Sequence, residues 1–304
     1  MKPKVAVLLS TYNGERFLLE QLNSILSQTY TPIDIFIRDD GSSDNTLSLL
    51  ESFSSEHSQT TLFQEQNLGA AQSFFSLLAK PLDEYDYIAF SDQDDVWDPF
   101  KIEDSILKLK VIQSDTPAMY CSRFEIVSES LTHLAFSPVY HTVGFHNALV
   151  QNIATGCTVV INQAARQLIL SQLPDQVIMH DWWIYLVVSA FGKVIYDPQS
   201  YVKYRQHQSN VVGTTSTFIG KMKRHWKSFR NGKSVIFKIS GQATTFYSIF
   251  GSRLMPENKR LLELFLLGKS SVLGRFRLLF NRQLKRNSII DNAILRIMIS
   301  LNKY

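Results

Sequence analysis

Two hydrophobic periods alternate along the first 130 residues. Lys4–Ser10, Ile33–Arg38 and Asp86–Ser91 are short apolar or β-branched runs of buried-strand length. Between them, Phe17, Leu18, Gln21, Leu22, Ile25 and Leu26 share one face at the 3.6-residue helical period, and Leu47, Leu49, Leu50 and Phe53 form a shorter helical cluster. Ser43-Asp44 offers a helix N-cap after a turn at Gly41. Strand, helix, strand, helix in this order predicts a parallel sheet with helices on its faces. Ligands of such sheets bind beyond the carboxyl ends of the strands. Further along, Ala154–Ile161 reads as strand and Trp182–Phe191 as helix.

Each of the first three strands runs into a polar cluster: Ser10-Thr11-Tyr12-Asn13-Gly14, Asp39-Asp40-Gly41-Ser42 and Ser91-Asp92-Gln93-Asp94-Asp95. Hydroxyls and carboxylates at three adjacent strand ends predict a site on that edge. In the last cluster, three carboxylates within four residues repel one another unless a cation is present. Oxygen ligands of this kind select Mg2+ or Mn2+, which would bridge the phosphates of a nucleotide sugar and neutralise the leaving diphosphate. An acidic turn capping the helix that starts near Pro99 is the competing reading. Gly41 permits a tight turn that leaves Asp39 and Asp40 facing the cleft, where a carboxylate accepts the imide N–H of a pyrimidine base. The competing reading there is a solvated turn.

Those residues, with Ser24-Ile25-Leu26-Ser27-Gln28-Thr29-Tyr30, Asn67-Leu68-Gly69 and Phe90-Ser91-Asp92-Gln93-Asp94-Asp95-Val96-Trp97, resemble glycosyltransferase family 2. The last motif is similar to that of the rhamnosyltransferase-like branch of bacterial surface polysaccharide synthesis. The resemblance spans roughly residues 3–212. It implies an α/β GT-A fold, a Rossmann-like, mostly parallel sheet flanked by helices, here with a helical, basic C-terminal extension. It also implies inverting, metal-dependent transfer from a nucleoside-diphosphate sugar to a lipid-linked or polysaccharide acceptor. dTDP-rhamnose is the donor the resemblance favours, with a UDP-hexose as the alternative. Carried over by position, Ser10, Tyr12, Asp39, Asp40 and Asp92 seat the nucleotide. Asp94 ligates the metal with Asp92, and Asp95 assists.

The resemblance further assigns the catalytic base to Asp181, in Met179-His180-Asp181-Trp182-Trp183; the family often has Glu-Asp where this chain has His180-Asp181. A carboxylate opening a helix and screened by Trp182 and Trp183 suits a base, with the rings stacking on sugars. It equally suits an N-cap with core tryptophans. The donor-rich Tyr204-Arg205-Gln206-His207-Gln208-Ser209-Asn210 follows an apparent strand, and Arg205 or His207 could reach the diphosphate or complete the metal shell.

Composition adds one boundary. The net charge of the 304 residues is +4, but Lys and Arg against Asp and Glu count 13 to 24 over residues 1–214 and 18 to 3 over residues 215–304. This predicts a catalytic domain over 1–214 and a basic, mainly helical region over 215–304. In that region Ile289, Ile290, Ala293, Ile294, Ile297, Met298 and Leu301 share a helix face with Leu295 outside it, and Gly274–Phe280 and Lys221–Lys227 interleave cations with large apolar residues. Such a tail suits the anionic inner surface of a plasma membrane, a homodimer face, or docking onto the acidic half. Two cysteines, Cys121 and Cys157, make no disulfide framework, and no apolar run is long enough for an export signal or a membrane span. A cytoplasmic location is therefore expected. A sugar nucleotidyltransferase would need a glycine-rich, basic loop after the first strand, and this one holds a single glycine and Glu15. A noncatalytic sugar-binding subunit would not need Asp92, Asp94 and Asp181, and beyond the charge of the tail nothing suggests nucleic acid.

Overall fold

The computed structural model describes residues 2–207 and 235–304. Four parallel strands, β1 (Val5–Thr11), β2 (Ile33–Asp39), β3 (Thr60–Gln64) and β4 (Tyr87–Ser91), lie in the order β3-β2-β1-β4. β1 divides its side chains by parity. Val5, Val7 and Leu9 join the core beneath α1 (Leu18–Leu26) and α2 (Thr46–Glu56), whereas Ala6 and Leu8 join the core beneath α3 (Ala70–Leu78). A strand covered on both faces has no polar side to show, which is why β1 reads as an unbroken apolar run.

The sheet continues through β5 (Val96–Trp97), β6 (Ala118–Val127), β7 (His133–Phe136), β8 (Val160–Asn162) and β9 (Lys193–Arg205). β8 pairs antiparallel with β4 and with β6, β9 runs parallel to β6, and β5 closes antiparallel on β9, with Val96 opposite Lys203. β7 forms a hairpin on β6. This order brings the carboxyl end of β9 beside the Asp92–Asp95 loop. The helices of this half are completed by α4 (Lys101–Leu109), α5 (Phe145–Ala148), α6 (Gln163–Leu170) and α7 (His180–Phe191).

Two local expectations differ from the fold. α2 starts at Thr46 with no side-chain bond from its N-cap, and Asp44 instead accepts the Thr46 N–H at 3.1 Å from outside the helix. The expected strand at 154–161 is broken by a 3-10 turn at Gly156–Thr158, because the Gly156 N–H donates to the Asp181 side chain at 2.9 Å.

After residue 234 come α8 (Val235–Phe250), α9 (Pro256–Ser270), α10 (Val272–Leu279) and α11 (Ile289–Ser300). The expected boundary at 214/215 and the Lys221–Lys227 cluster lie outside the described residues. The helices beyond do not build a core of their own. Phe246, Phe250, Leu262, Phe265, Leu295 and Tyr304 merge with Trp183 and Leu186 of α7 into one apolar cluster, with Trp183 and Phe246 edge to face at 5.9 Å. Arg286 and Arg296 donate to backbone carbonyls, Arg286 to Val150 and Arg296 to Leu278, Asn281 and Leu284. Apolar burial, not charge pairing by these two arginines, joins the tail to the acidic half. α11 buries only part of the expected apolar face. Leu295, Met298 and Ile299 are buried, while Ile289, Ile290, Ile297 and Leu301 are exposed. No helix among the described residues is long and apolar enough to cross a membrane.

Candidate functional site

The acidic loop at the end of β4 is tied down from two directions. Gln93 accepts the Thr11 hydroxyl at 2.6 Å and the Tyr12 N–H at 2.8 Å and donates to the Tyr12 carbonyl, fastening the loop to the end of β1. From β9, the buried Arg205 donates to the Asp94 carbonyl at 2.9 Å, to the Glu129 carbonyl and to the Glu20 carboxylate, and its N–H reaches Asp95. Its guanidinium lies 4.4 Å from the ring centre of Phe17, which also carries His207 at 5.2 Å. Arg205 thus braces the loop. It does not point into open space, as a diphosphate-binding side chain would. His207 Nε2 stands 2.6 Å from Asp94 Oδ2, at the edge of an open cleft bordered by Arg16, Ser128, Glu129 and Ser130.

The carboxylates of this loop press on one another. Burial, then the charges of Asp94 and Asp181, push the Asp92 carboxyl up to about 7. Burial, then Asp94 and Asp92, raise Asp95 well above the carboxylate range. Asp95 Oδ2 is buried with no hydrogen-bond partner among the described residues, and Asp92, Asp95 and Cys157 bring one ligand atom each within 4.8 Å of the others. Behind them Lys101 is buried over the Trp97 ring at 3.4 Å and lowered by burial to about 7. A crowded oxygen-rich set that must otherwise take up protons, with an imidazole beside it, fits a hard divalent cation.

Asp181 approaches from α7. One of its oxygens accepts the Gly156 N–H at 2.9 Å and the other the Trp182 N–H at 2.6 Å. Burial outweighs these bonds and lifts the carboxyl to about 6. Gly156 matters by what it lacks, since a Cβ there would stand 2.9 Å from His180 Nε2. His180 itself is buried against Phe74 at 4.0 Å and held neutral, its pKa lowered by burial to about 3. The expectation that Trp182 and Trp183 stack on sugars is corrected. Trp182 is buried with its indole N–H on the Ala148 carbonyl at 2.7 Å, and Trp183 packs against Phe246 in the core.

The nucleoside-side residues also differ from expectation. Asp39 and Asp40 are both buried and do not face the cleft as free carboxylates. Asp39 accepts the Ser42 N–H at 3.0 Å. Asp40 is paired with Arg38 and accepts the Leu68 and Gly69 N–H groups at 2.8 and 2.9 Å. The reason is Arg38, a buried cation in β2 that also donates to Ser73 at 2.9 Å and needs a carboxylate beside it. Ser10 bonds Ser73 at 2.6 Å in the same network, and Tyr12 is half exposed at the mouth. Gly41 takes φ +80°, the turn that closes this corner. Sequence reasoning missed Gln93, Arg38 and Phe17. A charge inside an otherwise apolar strand was the available signal for Arg38.

The family model of glycosyl transferase family 2 matches residues 6–156. The dTDP-rhamnosyl transferase RfbG of Shigella flexneri is 33% identical over 233 residues, covering 71% of this chain and 77% of that protein. The UDP-Glc:alpha-D-GlcNAc-diphosphoundecaprenol beta-1,3-glucosyltransferase WfgD of Escherichia coli is 27% identical over 225 residues, covering 73% and 83%. The crystal structure of S. aureus TarS 1-349 in complex with UDP-GlcNAc covers 98% of this chain and 90% of its own, with a TM-score of 0.58 at 14% identity, a likeness of fold.

Proposed function

The chain belongs to glycosyltransferase family 2, and on that premise we propose that it is an inverting, cation-dependent rhamnosyltransferase using dTDP-rhamnose and a lipid-linked saccharide acceptor at the inner face of the plasma membrane. One observation carries the reading. Two carboxylate sets meet at a single sheet edge, Asp92 and Asp94 with His207 on one side and Asp181 on the other, near enough that the charge of Asp181 raises Asp92. The donor follows from the dTDP-rhamnosyl transferase relative. A lipid-linked acceptor follows the diphosphoundecaprenol acceptor in the name of the glucosyltransferase relative.

In this reading Asp94, Asp92 and His207 hold Mn2+ or Mg2+, with Asp95 in support. A bound ion would supply charge neutralisation for the leaving diphosphate. Gln93 and Arg205 fix the loop in advance, so the site does not have to be ordered at the moment of reaction. Tyr12 borders the nucleoside, while Asp39 holds the Ser42 turn and Asp40, held by Arg38, shapes the Leu68-Gly69 turn. Asp181 takes the proton of the acceptor hydroxyl as that oxygen bonds to C1 of the sugar. The C1–O bond to phosphate breaks with its electron pair on the nucleoside diphosphate, and the anomeric centre inverts. A carboxyl near 6 is mostly ionised at neutral pH yet basic enough to accept this proton.

A thermal-shift screen of dTDP, UDP and GDP with their sugars, with and without manganese, tests the proposal. Stabilisation by dTDP-rhamnose that requires the metal is expected. Stabilisation by UDP-sugars alone would reassign the donor, and none by any sugar nucleotide would overturn the reading.

A further inference from the structure

α10 presents an apolar face that nothing among the described residues covers. Val272, Leu273 and Phe276, with Phe280 just beyond its end, are 78%, 61%, 60% and 67% exposed and recur on one side at i, i+1, i+4 and i+8. Only Gly274 and Leu278 of this helix are buried. The rings of Phe276 and Phe280 rest on each other at 4.9 Å instead of on the core. Four large side chains left in water over about two turns mark an interaction surface. The charge around them is one-sided: residues 264–290 contain six Lys or Arg and no Asp or Glu, and Arg277, Arg282 and Lys285 are exposed.

We infer that α10 is the element that enters the bilayer interface, with an anionic lipid surface as its partner. Exposed apolar side chains enter the headgroup boundary while flanking cations meet anionic headgroups. A twofold dimer through the same face would set its cations against their own copies, with no acid between residues 264 and 290 to offset them. The segment that follows α10 is hydrogen-bonded to the catalytic half. Beyond α10, Asn287 Oδ1 accepts the His141 and Thr142 N–H groups at 2.8 and 2.7 Å, and Arg286 donates to the Val150 carbonyl at 2.8 Å. The same stretch, 141–150, receives the Trp182 indole N–H of the helix that carries Asp181. Hydrogen bonds thus run from the segment after α10, through 141–150, to the helix that carries the base. The inference rests on the proposed lipid-linked acceptor for its purpose, but it has its own readout.

The test uses the full chain and flotation with vesicles of phosphatidylcholine, alone or mixed with phosphatidylglycerol. The chain should float with the mixed vesicles at low salt. Paired Phe276→Glu and Phe280→Glu should lower partitioning by at least about tenfold. Both side chains are exposed, so melting temperature and nucleotide-sugar binding should be unchanged; Phe276→Ser with Phe280→Ser serves if the glutamates disturb folding. Equal flotation with neutral vesicles, or unchanged flotation of both double variants, would overturn the assignment to α10 while leaving the transferase reading intact. A dimer that the double variants dissociate, with no flotation by either form, would make the face an assembly surface and overturn the lipid partner. Loss of nucleotide-sugar binding in the unaltered chain would instead strike the transferase reading.

Discussion

Replacing Asp181 by Asn separates a base from a helix cap, because the two roles predict opposite changes in stability. The buried carboxyl is raised from 3.8 to about 6. The folded chain therefore holds this proton more tightly than the unfolded one, and the associated stability is present below pH 4 and lost as pH rises through 6. At neutral pH the ionised group costs roughly 3 kcal/mol. Asn carries no charge to desolvate. It keeps only one of the two bonds from the Gly156 and Trp182 N–H groups, a loss of about 1 kcal/mol. Asp181→Asn should thus melt at or above the unaltered chain at pH 7.5 and lose that advantage near pH 4. Turnover should fall by about 10²- to 10⁴-fold, the scale of general-base loss. The unaltered enzyme should lose activity tenfold per unit below pH 6, and the variant should show no such limb. Differential scanning calorimetry and a pH series of kcat/KM with a lipid-linked acceptor read both effects. Destabilisation at pH 7.5 with turnover retained would make Asp181 a cap.

Two further substitutions test the supports. Gly156→Ala puts a Cβ 2.9 Å from His180 Nε2, against a ring held by Phe74, so it should cost about 1–3 kcal/mol of stability and lower kcat while leaving nucleotide affinity intact, read by calorimetry and steady-state kinetics. Arg205→Lys cannot serve Asp94, Glu129 and Glu20 at once, so the apparent affinity for manganese in the presence of nucleotide should weaken several-fold, measured by metal titration.

The parallel strands and the polar clusters at their ends were legible because a strand buried on both faces and a loaded carboxyl end leave unambiguous patterns. Which side chains of a cluster reach the cleft was not. Asp39 and Asp40 looked open because Arg38, the buried cation that claims Asp40, is paired only by the fold. Trp182 and Trp183 resisted reading because α7 is buried almost all round, so periodicity cannot say which ring meets a ligand. α11 failed for a related reason. Its apolar residues spread beyond one face, and packing buried Met298 of the expected face together with Leu295 and Ile299 outside it. The charge boundary near 214 marked a real change of composition, yet the core runs across it through Trp183, Phe246 and Phe250. Truncation there would strip cover from α7 instead of releasing an intact domain.

The central claim is that the Asp92–Asp95 loop holds a divalent cation for a nucleotide-sugar donor. Calorimetric titration of dTDP into the full chain, with and without manganese, tests it most directly when repeated on Asp94→Ala. The account predicts tight binding only with manganese in the unaltered chain, and weak binding indifferent to manganese in the variant. Equal metal dependence in both proteins would contradict it.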